Sequence, residues 1–152
     1  MSRSALGFPI RIVMTLLLAG TALSACGGKE PTAAEAGETL KTHVLKLLGE
    51  VRAKNITVTD PGGKDVPCGD GGAKRTFAAT GQGEPPHSEA IFMKDEMRGA
   101  VGRVAKYTGV GVPDLSKPSK IASEESRTIL VLDASSTGDY IVSGETECLS
   151  RS

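Results

Sequence analysis

Glu145 and Glu147 alternate along one short segment, with Asp139 upstream of them. On a strand that alternation puts both glutamates on one face. Paired carboxylates divide general-acid and general-base work when burial separates their pKa values; two solvated glutamates are the simpler expectation. Cys26, Cys68 and Cys148 offer covalent, redox or metal chemistry, and His43 and His87 are the only histidines. No Cys/His spacing is as tight as a zinc site needs. Pro86-His87-Ser88 sets a base beside a nucleophile, but adjacent residues seldom align for proton transfer and no acid is specified to orient the ring. Gly62-Gly63-Lys64 lacks the spacing and hydroxyl of a phosphate loop, and Gly109-Val110-Gly111 follows a helical pattern instead of a strand. Gly69-Asp70-Gly71-Gly72 brings one carboxylate where a calcium loop needs several alternating oxygens. The sequence therefore assigns no catalytic residue, no metal ligand and no cofactor.

The most specific pattern lies at the start. Residues 1–25 hold Arg3 and Arg11 and no acidic side chain, and Ile12–Leu23 is a run of 12 mostly apolar residues. At about 1.5 Å per residue a helix of that length spans roughly 18 Å, short of the ~30 Å hydrocarbon core, so a permanent transmembrane helix is the poorer reading. A basic start and a short apolar run have the order of an export signal. Small Ser24 and Ala25 precede Cys26, and Leu23-Ser24-Ala25-Cys26 resembles the lipobox of bacterial lipoproteins. The resemblance implies removal of residues 1–25 as a signal peptide and a diacylglyceryl group on the Cys26 thiol. It implies export and anchorage to the outer face of the cell membrane. Gly27 in place of Asp after the lipidated cysteine permits outer-membrane placement in a diderm. Two acyl chains suffice for stable anchoring, each buried methylene contributing about 0.8 kcal/mol.

Composition narrows the task. The chain has 18 basic and 18 acidic side chains; removing Arg3 and Arg11 leaves 16 against 18, a formal charge of −2. A near-neutral surface argues against nucleic acid as a partner. Phe77, Phe92, Tyr107 and Tyr140 are the aromatics after the signal, and there is no Trp, so stacking platforms are not expected. With Cys26 lipidated, Cys68 and Cys148 remain, and in an oxidising compartment such a pair tends to close into a disulfide. Two free thiols or half of a metal site are the alternatives.

Residues 26–35 read as a flexible tether, and 36–149 as a single α+β domain. Thr32-Ala33-Ala34-Glu35 has the form of a capping box. Ala36, Leu40, Val44, Leu47, Leu48 and Val51 then recur at helical spacing, predicting an amphipathic helix that ends near Asn55. Ile56–Thr59 and Arg75–Thr80 read as an antiparallel strand pair, joined by a polar, glycine-rich connection that holds Cys68. Ser88 is positioned to cap a second helix whose apolar side runs through Ala90, Met93, Met97, Ala100, Val101, Val104 and Tyr107. Lys94-Asp95-Glu96 and Arg98 read as its solvated face. Residues 109–127, with Pro113 and Pro118, read mostly as loop. Thr128–Ala134 and Asp139–Thr146 form a hairpin. The predicted order is α-β-β-α-β-β, a four-stranded, largely antiparallel sheet with two helices on one face.

That order, the single cysteine pair and the ending Gly144-Glu145-Thr146-Glu147-Cys148 resemble small secreted lipoproteins of actinobacteria, a group that mostly lacks an assigned activity. The expectation is a non-enzymatic, membrane-anchored binding domain with an envelope protein or lipid as partner. Ile91 and Phe92, which open the second helix away from its main apolar stripe, are the candidate binding surface. Two alternatives are a carrier holding a lipid or other apolar molecule between sheet and helices, and an envelope enzyme using Asp139, Glu145 or Glu147.

Overall fold

The computed structural model describes residues 29–85 and 89–151. Helix α1 covers Ala33–Glu50. Its capping box is closed: the Glu35 N–H donates to Thr32 Oγ1 at 3.3 Å and the Thr32 N–H to Glu35 Oε2 at 2.8 Å, satisfying two N-terminal donors that helical geometry orphans. Ala36, Leu40, Val44, Leu47 and Leu48 are buried as the periodicity predicts. Two limits shift. The packed domain starts before residue 36, because Ala33 is fully buried and its N–H donates to the Ser150 carbonyl at 2.9 Å; a tether reaching residue 35 is too long. The helix also stops at Glu50, and Arg52 takes a positive φ of 54°, so Asn55 falls in the following strand.

Strand β1 (Lys54–Asp60) pairs antiparallel with β4 (Thr76–Gln82). The connection between them is not the unstructured loop its polarity suggests. Strands β2 (Val66–Cys68) and β3 (Gly72–Lys74) form a separate two-stranded ribbon, and Ala73 bridges to Leu149. Ala33, Ala36, Ala73 and Leu149 make a small second core beneath it.

Helix α2 covers Ala90–Val101 and ends before Val104 and Tyr107, which pack against the core from the segment that follows it. Its N-cap is Glu89, with no side-chain cap bond; Ser88 lies outside the described residues. Met93, Met97, Ala100 and Val101 are buried, and so is Lys94, only 4% exposed. The solvated face expected of Lys94-Asp95-Glu96 and Arg98 therefore excludes its first member.

Residues 108–123 carry two strands where loop was expected: β5 (Thr108–Gly109) and β6 (Ser119–Ser123). They precede the predicted hairpin of β7 (Thr128–Ala134) and β8 (Asp139–Thr146). The main sheet thus has six strands and not four, in the order β1-β4-β8-β7-β6-β5, antiparallel at every pairing. The element order is α-β-β-β-β-α-β-β-β-β. The fold class is α+β, with both helices on one face. Alternate residues Phe77 and Ala79, Leu130 and Leu132, and Tyr140 and Val142 bury against them, as period-two geometry requires. Gly144 has no side chain because none fits: a Cβ there would lie 2.6 Å from the Ile129 carbonyl oxygen and 2.6 Å from Leu40 Cδ1.

Candidate functional site

The sheet gives the molecule two poles. β7 runs from Thr128 at one to Ala134 at the other, roughly 20 Å at 3.3 Å per residue. Both ends of the described domain gather at the first pole. Besides the Ala33–Ser150 bond, Arg127 Nη2 lies 2.8 Å from Glu30 Oε1 and 3.0 Å from Glu147 Oε2. One guanidinium thus ties the segment entering α1 to the segment leaving β8. Arg127 does this from a strained backbone, φ 55°, with Nε buried and without a partner among the described residues. Cys68 and Cys148 are disulfide-bonded at the same pole, their Cα atoms 5.9 Å apart. The bridge fastens the β2–β3 ribbon to the end of β8.

A polar chain runs inward from this pole. Ser126 Oγ and Thr128 Oγ1 are 2.7 Å apart, Thr128 Oγ1 and the Tyr107 hydroxyl 2.7 Å, and the Tyr107 hydroxyl and His43 Nδ1 2.9 Å. Thr128 is fully buried, so this chain supplies the partner its hydroxyl needs. Burial holds the His43 imidazole below its ordinary pKa, Lys46 pushes the same way, and Glu125 opposes. Burial also raises the Tyr107 phenol, against the hydroxyls of Thr128 and Ser126. Beside the chain lies a surface cleft of about 460 Å³, lined in part by Pro31, Glu35, Thr39, His43, Lys106 and Ser126. Such a chain orients hydroxyls and fixes the imidazole; it contains no carboxylate hydrogen-bonded to the histidine.

The second pole carries part of the exposed apolar surface; Ile56 and Val58 on β1 and Val66 on β2 are exposed as well. Ile91 and Phe92, in the first turn of α2, are 49% and 57% exposed. The helix is fixed there by Lys94, whose Nζ lies 3.7 Å from Asp133 Oδ1 and 3.4 Å from the Lys117 carbonyl. The Glu96 carboxylate accepts a hydrogen bond from the Tyr140 hydroxyl, and burial, followed by that carboxylate, raises the phenol pKa. Val112, at the tip of the β5–β6 connection, is 91% exposed. An open cleft of about 300 Å³ separates that connection from α2, lined in part by Arg98, Val110, Val112, Pro113, Lys117 and Ile121.

The carboxylates proposed for catalysis do not converge. Glu145 pairs with Lys74 at 3.2 Å and Glu147 with Arg127, while Asp139 sits at the far end of β8, accepting from Ser135 and Thr137. The space between helices and sheet, where a carrier would keep its cargo, is filled by buried side chains such as Leu40, Val44, Met97 and Leu132. Cys26 and His87 lie outside the described residues. Sequence reasoning missed Arg127, Lys94 and the polar chain. Only the burial of Thr128 at the head of the strongest strand pattern offered a signal for the last.

No protein-family model matches the chain, and no curated protein does. A solved structure of a DUF4853 family protein from Actinomyces odontolyticus is similar in fold, with a TM-score of 0.51 and 11% sequence identity over 80% of this chain and 71% of that one. The likeness is to an actinobacterial protein of a family without an assigned function, and at this identity it speaks to fold alone.

Proposed function

We propose that this protein is a lipid-anchored envelope lipoprotein whose α+β domain is a non-enzymatic interaction module, facing outward from the membrane with Ile91 and Phe92 at its working end. The observation that carries the reading is the position of Glu30. It follows Cys26 by four residues, so chain of any conformation keeps its Cα within about 14 Å of the Cα of Cys26. Glu30 is held to Arg127 at the pole where both ends of the described domain meet. An acyl chain on Cys26 therefore sets that pole against the lipid and directs the opposite one away. Ile91, Phe92 and Val112 are exposed at the outward pole, alongside Ile56, Val58 and Val66 elsewhere on the domain, and an apolar patch on a folded domain is a common mark of a docking surface.

Cells expressing wild type, Cys26→Ala and Phe92→Ser separate the parts. Wild type should partition with membranes and into detergent, and Cys26→Ala should lose its acyl chains. Phe92→Ser should stay anchored and folded while in-cell cross-linking to envelope partners falls. Recovery of unlipidated wild type beginning at another residue would remove the anchor; unchanged cross-linking in Phe92→Ser would remove the surface.

A further inference from the structure

The cleft beside α2 has a chemical character that Ile91 and Phe92 alone do not reveal. Arg98 and Lys117 line it, and Asp114 is its only acidic lining residue among those described; Lys120 also borders it from β6, but its side chain shares with Val131 the sheet face away from the helices. Asp114 already accepts from Ser116 and lies 3.5 Å from Lys117. Among the described residues no carboxylate lies within 4 Å of the Arg98 or Lys120 side chain. Beneath the cleft the buried Lys94 ammonium reaches the Lys117 carbonyl. Its nearest carboxylate, Asp133, is 3.7 Å away, and the Lys94 charge also acts on Asp114. Arg98 and Lys117 against Asp114 leave the lining with one cation in excess.

One wall is an open sheet edge. β5 is the terminal strand and pairs only with β6. The Val110 N–H donates to the Lys120 carbonyl, so the antiparallel alternation turns the N–H and C=O of Gly109 away from β6, toward unoccupied edge. Nothing lies within 4 Å of where a Cβ on Gly109 or Gly111 would stand, and backbone can approach closely there. Val110 and Val112 flank these glycines and are exposed. Along α2, Ile91 precedes Arg98 by two turns on nearly the same helical face, so the cleft continues the surface already assigned to binding. An open groove with a free strand edge, apolar side chains and a surplus cation suits an extended chain better than an enclosed small molecule.

We propose that this cleft docks an extended acidic segment of a partner protein, alternating carboxylates with apolar side chains. The segment lies along the β5 edge, its carboxylates toward Arg98 and Lys117 on the helix side and its apolar side chains on the other side, against Val110. The proposal rests on the outward-facing interaction reading and names the chemistry of the partner.

The test uses the full chain purified in detergent and immobilised, offered two pools of hexapeptides. One fixes glutamate at alternate positions, with valine, leucine or phenylalanine between; the other replaces glutamate with lysine. The glutamate pool should bind saturably at low salt, and Arg98→Gln/Lys117→Gln should weaken it about tenfold, the equivalent of 1.4 kcal/mol. High salt should weaken wild type comparably. Equal binding of the lysine pool, unchanged affinity in the double variant, or no saturable binding overturns the proposal. Full displacement by inorganic phosphate overturns it too, assigning the site to a small anion. If Phe92→Ser abolishes in-cell cross-linking while the Arg98/Lys117 variant leaves both peptide binding and cross-linking intact, the interaction reading stands and the acidic segment does not.

Discussion

Burial, with repulsion from Lys46, disfavours the protonated His43 imidazole in the folded protein, against a smaller opposing pull from Glu125. The folded pKa of His43 lies below the unfolded value, so the unfolded chain takes up the proton first as pH falls. The native state thus loses stability from about pH 6.5 downward until the folded pKa is reached, and gains none above that range. Urea unfolding at pH 7.5 and pH 5.5 should show the loss in wild type, and His43→Gln should flatten it; an equal slope in the variant would move the effect elsewhere. Phe92 makes the opposite case. With more than half of its surface in water, Phe92→Ser should shift the melting temperature little. A buried aromatic would instead cost roughly 3 to 5 kcal/mol, and thermal melts distinguish the two.

At the scale of elements, α1 sits on β8 at contact distance, and Gly144 permits the fit. A methyl at that position meets a backbone oxygen of β7 as well as a leucine of α1, and the oxygen cannot rotate aside. Gly144→Ala should destabilise the domain by about 1 to 3 kcal/mol, the scale of overpacking a tight core, as read by chemical unfolding. The ribbon depends on its bridge. Replacing both Cys68 and Cys148 with Ser opens a loop of sequence separation 80 and should cost up to about 4 kcal/mol; thiol counting on unreduced protein should find neither cysteine free. The elements with strong periodicity were legible in the sequence: α1, most of α2, the β1–β4 pair and the β7–β8 hairpin. Strand β6 was not, because Ile121 is its single large apolar side chain and prolines flank the segment that leads to it. The ribbon hid behind glycines, since one alanine, Ala73, supplies its buried contact. Lys94 misled for a related reason: a helical wheel sees charge, while burial there depends on β7 and Lys117, which local spacing does not encode. Ile91 and Phe92 could be placed because they depart from a stripe the sequence displays; the cleft beside them could not, because it is built across β5, β6 and α2.

The whole molecule is organised along the line from Arg127 to Asp133. If the proposed lipid anchor holds, fluorophores placed singly at positions 124 and 112 should respond differently to a headgroup quencher: position 124, in the turn at the pole proposed to face the membrane, should be quenched, and position 112 should not. Stronger quenching at 112 would invert the proposed orientation. The meeting of the domain's ends also bears on the order of assembly. Ribosomes make α1 early, and its apolar stripe rests partly on β4, but its first turn rests on Ser150 and Leu149 and the rest of its stripe on β8, which come last. The early helix must therefore wait with part of its hydrophobic side uncovered until β8 and the residues after it are made. Such long-range closure slows folding and leaves the nascent chain dependent on protection from aggregation.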